Sequence, residues 1–155
     1  MKRIFAFTLC FLLIFTLVSC IEEMPSAREL LVEFTDSYGI GGVLYSPDFS
    51  EGESGYIDAE FFNVMYDASP DFESDYAVFL SSSIDSIYEA AVFVTRDSSS
   101  LLFAERLCLS RLALLDKMGY AESAVFIKRD NTVFYSTLPD GKRAESIWRD
   151  VKIRI

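Results

Sequence analysis

The chain is expected to form an α+β domain: helices packed on a mostly antiparallel four-stranded sheet, in the order α-α-β-β-α-β-β-α. Three observations lead there. Extended, apolar-rich segments come as adjacent pairs, 76–82 with 87–95 and 124–129 with 132–137, and short connections favour antiparallel pairing. Each pair is followed by a helical pattern, and two further helical patterns precede the first pair. The 155 residues, less a leader, suffice for one domain, since domains cluster at roughly 100–150 residues. Most of the 14 Phe and 8 Tyr lie beyond the leader, which argues against a disordered body.

The leader comes first. Met1, Lys2 and Arg3 make a positive start, and 4–18 is an uninterrupted run of apolar residues and threonines. Its 15 residues fall short of the roughly 20 needed to span a bilayer. It ends in Leu17-Val18-Ser19-Cys20, which resembles the lipobox of bacterial lipoprotein precursors. That resemblance implies a diacylglyceryl group on the Cys20 sulfur and cleavage just before it. Residues 1–19 are then a signal peptide, 20–25 a lipidated tether and 26–155 the domain. Acyl chains at about 0.8 kcal/mol per buried methylene would hold the protein on the outer side of the cell membrane. The alternative is an ordinary secretory leader with an unmodified cysteine.

The domain elements follow in order. Ser26 and Glu29 fit a capping box, with Ala27, Leu30, Leu31, Phe34 and Tyr38 at helical spacing and Gly39 suited to the left-handed stop. Residues 39–56, rich in Gly, Ser, Pro and acids, read as a loop. A short helix over 58–67 ends at Ser69-Pro70-Asp71. The first strand pair is joined by 83–86, and a long helix over 99–118 begins after Asp97 or Ser98 as cap. Gly119 closes it. The second hairpin turns at Asp130-Asn131, and Ala144, Ile147, Trp148 and Val151 mark a last helix. Residues 151–155 alternate like a strand, which leaves the end open between helix and strand.

Charge and cysteines restrict function. Net charge is −10, with 14 acidic residues and no Lys or Arg between Glu29 and Glu89. From Arg96 onward there are 11 basic and 8 acidic residues. The acidic half argues against a nucleic-acid partner. There is no His, so the commonest general base and metal ligand is missing. Of Cys10, Cys20 and Cys108, the first lies in the leader and the second is expected to be acylated. Cys108 then has no disulfide partner and reads as a small buried hydrophobe.

Tyr76-Ala-Val-Phe-Leu-Ser-Ser-Ser83, Tyr88-Glu-Ala-Ala-Val-Phe93 and a helix carrying Arg106 and Arg111 resemble an uncharacterised domain of small exported clostridial-type lipoproteins. The resemblance spans about residues 25–151. It implies lipoprotein status and an α+β fold, and no activity.

Several constellations remain. Arg111 falls inside the apolar arc of its helix, where a guanidinium must snorkel or find a carboxylate, and Glu89 is the acid within the central strands. The pair is expected either as a buried orienting ion pair or as part of a pocket. In the hairpin, Val125, Ile127 and Phe134 share one face and Phe126, Val133 and Tyr135 the other. Both sheet faces are thus apolar, to be covered by the two N-terminal helices or offered to a partner. Residues 48–55 superficially resemble a calcium loop, but Glu53 stands where the turn glycine belongs. Asp71, Glu73 and Asp75 sit in one loop with nothing to fix their separation. Lys142, Arg143, Arg149, Lys152 and Arg154 form a basic end that would suit anionic headgroups or wall polymers.

The expectation is a membrane-anchored extracytoplasmic lipoprotein whose domain binds a protein or envelope component and catalyses no reaction. No cofactor and no metal site is assigned. The alternative is a small-ligand or calcium-binding module that uses the acidic half.

Overall fold

A computed structural model describes residues 24–69, 74–82 and 87–151. Residues 1–23, with the expected leader and Cys20, as well as Asp71, Glu73, the 83–86 connection and the last residues 152–155, with Lys152 and Arg154, lie outside the described residues.

The first helix, α1 (Ala27–Tyr38), starts and stops as its sequence dictates. The Ser26 side chain accepts from the Glu29 N–H, the Glu29 carboxylate accepts from the Ser26 N–H, and Gly39 is left-handed at φ 73. The next element, β1 (Gly42–Tyr45), corrects the expected loop over 39–56: the sheet has five strands, not four. It is short and half-exposed, so the period-2 signal is too brief to read. Gly42 marks the close approach, since a Cβ there would come within 2.4 Å of the Phe79 ring.

Helix α2 (Ala59–Tyr66) is capped by the Asp58 carboxylate and ended by left-handed Asp67. Strands β2 (Ser74–Ser81) and β3 (Glu89–Thr95) pair antiparallel with Tyr76 opposite Phe93. Asp75, expected in a loop, is the second residue of β2. Helix α3 (Ser98–Lys117) begins on Asp97, whose Oδ1 accepts from the N–H groups of Ser99 and Ser100. The hairpin of β4 (Val125–Arg129) and β5 (Thr132–Ser136) turns through left-handed Asp130, and α4 (Gly141–Asp150) follows. Strand order is β1-β2-β3-β5-β4, antiparallel throughout.

Helices cover both faces of this sheet. The two N-terminal helices divide that task as expected, α1 on one face and α2 on the other, and a late helix joins each of them, α4 beside α1 and α3 beside α2. Under α1 and α4 lie Phe34, Phe79, Val92, Phe134 and Trp148, the last two stacked at 4.1 Å between ring centroids. Under α2 and α3 lie Phe62, Tyr66, Phe93, Cys108, Val133 and Tyr135. The hairpin divides as its alternation requires, with Phe134 on the first face and Val133 and Tyr135 on the second. Arg143 ties α1 to α4, lying over the Tyr38 ring and donating to the Tyr38 carbonyl at 2.8 Å.

Candidate functional site

Glu89 opens β3 with the parity of Ala91 and Phe93, which turns its side chain toward α2 and α3. Arg111 stands on the buried side of α3. The two meet in a fork: Arg111 Nε donates to Glu89 Oε1 at 2.9 Å and Nη2 donates to Oε2 at 2.7 Å. Arg111 Nη1 also reaches the Met65 carbonyl at 3.4 Å, near the end of α2. The Tyr135 hydroxyl donates to Glu89 Oε1 at 2.6 Å, and the Tyr66 hydroxyl lies 2.9 Å from that of Tyr135. The Glu89 backbone is fixed as well, its N–H donating to Thr137 Oγ1 at 3.0 Å.

This network is enclosed. The Glu89 side chain is 0% exposed and that of Arg111 15%. Burial, then the Glu89 charge, pushes the Tyr66 and Tyr135 hydroxyls well above the ordinary tyrosine value, so both stay protonated donors. Burial and the same charge raise the Cys108 thiol, which is therefore a poor nucleophile. Burial opposes the charge on Arg111, but the Glu89 hydrogen bond and charge outweigh it and hold the guanidinium above its usual value. Both carboxylate oxygens are engaged and no face of the carboxylate meets solvent.

Sequence reasoning brought Glu89 and Arg111 together correctly and missed the two tyrosines. The signal for Tyr135 was present, since the alternation that puts it beside Val133 also puts it on the Phe93 side of the sheet. For Tyr66 there was none, because its reach depends on how α2 crosses the sheet.

The other sequence candidates are dispersed. Residues 48–55 form turns held by their own groups, with Glu53 accepting from the Ser50 N–H at 2.9 Å and Gly52 and Gly55 at positive φ. Asp75 accepts from the Ala27 N–H at 2.6 Å, and burial raises its pKa against that bond. It lines a cleft of about 550 Å³ with Pro25, Asp48 and Arg96. Among the described residues no three Cys, Asp or Glu side chains gather as a metal ion would need. Of the basic end, Arg149 pairs with Glu145 at 2.6 Å and Arg143 is engaged with Tyr38.

One surface was not anticipated. Helix α3 exposes Leu102 (54%) and Leu109 (46%) on the side turned from the core, and Leu114 (46%) and the cap residue Met118 (53%) near its C-terminal end. No described helix is long and apolar enough to cross a membrane. Compared with family models, curated proteins and solved structures, the chain matches none.

Proposed function

We propose that this is an exported lipoprotein, anchored through acylated Cys20 on the outer side of the membrane, whose α+β domain binds another protein or an envelope component. The reading gives it no catalytic role and no nucleic-acid partner. The observation that carries it is the pair Leu102 and Leu109, exposed seven residues apart on the side of α3 turned from the core, with Leu114 and Met118 exposed near the helix end. Exposed apolar side chains gathered on one element favour contact with a partner. The Glu89–Arg111 pair serves orientation in this reading, registering α3 against the sheet, as sealed ion pairs can.

Two measurements test it. Cys20→Ala should abolish labelling by a fatty-acid analogue, and unchanged labelling would remove the anchor from the reading. A photo-crosslinking residue at Leu109 of the anchored protein should give a discrete adduct on intact cells, absent when the crosslinker sits at Glu33. Equal patterns at both positions would remove the interaction surface.

A further inference from the structure

The two outer strands of the sheet are treated differently by the chain. At β1, the Leu44 carbonyl is overlain by Gly55, where a Cβ would come within 2.3 Å of it. The neighbouring Ser46 N–H is already spent on the Gly55 carbonyl at 2.9 Å. That edge is covered by its own following loop.

At β4 no described residue pairs with the outer edge. Thr95 N–H donates to the Asn131 carbonyl and Thr137 N–H to the Glu89 carbonyl, so the odd-numbered residues of β5 turn their backbone groups to β3. Thr132, Phe134 and Ser136 turn theirs to β4, where Arg129, Ile127 and Val125 face them. By alternation the N–H and C=O groups of Phe126 and Lys128 point away from the sheet. Beside them, between β4 and α4, run two adjoining recesses of about 410 and 440 Å³ that share Ala124, Val125 and Glu145.

Outer strands are often guarded by a lysine standing over the edge. Here Lys128 is drawn aside, its ammonium 2.7 Å from Glu105 on α3. Arg129 is drawn to the other side, where its Nη1 and Nη2 donate to the Arg149 and Val151 carbonyls at 3.2 and 2.8 Å. Among the described residues the edge is therefore free of side-chain cover, and around it Lys128, Arg129, Lys142 and Arg149 outnumber Glu105, Asp140 and Glu145. Lys142 lines the recess with Asp140 at the N-terminal end of α4, and Arg149, paired with Glu145, lines it at the other.

We infer that the β4 edge takes an extended acidic peptide segment of a partner protein as a sixth strand. Main-chain pairing with Phe126 and Lys128 would supply affinity, and alternate side chains of the added strand would lie in the recess over Val125. The positive excess around the edge, with Lys142 beside the recess, selects carboxylates on that strand over amines. This deepens the binding-module reading, on which it rests, and names a second surface distinct from the α3 side chains.

The test uses the full chain in detergent micelles and a displayed library of random decapeptides. Selection should enrich peptides with carboxylates at alternate positions. The best of them should slow amide exchange in segment 124–129 by about tenfold or more, as strand pairing does. N-methylation of its alternate amides on the pairing side should abolish binding. The double variant Lys142→Glu, Arg149→Glu should weaken binding by about tenfold or more with unchanged thermal midpoint. Enrichment of basic peptides or of none, or binding without protection at 124–129, would overturn the proposal. Protection of that segment by self-association in the absence of peptide would overturn it too, assigning the edge to a second copy. If crosslinking from Leu109 succeeds while the library yields nothing, the edge proposal falls and the binding-module reading stands.

Discussion

Under α1 and α4 the sheet is packed by rings: Phe34, Phe134 and Trp148 are buried together, and no charged side chain is buried with them among the described residues. Under α2 and α3 the same sheet encloses a carboxylate, a guanidinium and two phenols. The first face is held by volume, and any atom of suitable size and apolarity serves it. The second is held by mutual satisfaction, so each member makes removal of the others costly. Similar losses on the two faces should therefore respond to different remedies.

Two large substitutions sharpen that contrast. Trp148→Ala should cost about 3–5 kcal/mol in urea unfolding, with most of it recovered by Trp148→Phe, because the loss is a cavity. Glu89→Ala should cost a similar ~3–5 kcal/mol, because it leaves the Arg111 guanidinium largely buried without its counter-charge. Here filling space is not enough. Replacing both partners, Glu89→Leu with Arg111→Met, should bring stability back to within about 1 kcal/mol of the parent. A double variant as unstable as Glu89→Ala would show that the pairing is not what the second face depends on.

A smaller loss is expected from Tyr135→Phe, which removes one donor to Glu89 and one partner of Tyr66, at about 1–3 kcal/mol. The faces should also separate in alkali. The folded pKa values of Tyr66 and Tyr135 are raised, so their contribution is fully present below the unfolded tyrosine value of about 10. It is lost as pH rises toward the folded values, because the unfolded chain releases those protons first. The double variant Tyr66→Phe, Tyr135→Phe should show a shallower fall in stability above that pH, and an unchanged slope would contradict the burial of both hydroxyls. Smallest is Ser26→Ala at the start of α1, about 1 kcal/mol, which should be the same whether or not the polar face is intact.

What was readable from sequence was what short-range chemistry decides. Ser26, Glu29 and Gly39 bound α1 because a cap involves neighbours three or four residues apart. Arg111 announced its need for a carboxylate by its position on a helical wheel, and Glu89 answered it. The hairpin residues 125–127 and 133–135 were sorted correctly between the two faces by alternation alone. What was not readable depends on long-range geometry. Strand β1 has four residues and owes its existence to the neighbouring β2, against which Gly42 packs without a side chain. Which face α1 takes and which α2 takes follows from the path of the chain across the sheet edge, for which periodicity carries no sign.

The first turn of α1 joins directly to the interior, through the 2.6 Å bond from the Ala27 N–H to Asp75 in β2 and through Ala27, Leu30, Leu31 and Phe34 on the core side. Tension applied to the chain at Met24 therefore enters the domain along a helix seated over β2 and β3, the inner strands. To yield, the domain would have to release a whole buried helical face at once, in shear. No outer strand lies in line to be peeled off one hydrogen bond at a time, so a domain tugged from that end should hold to higher force than one pulled through β4.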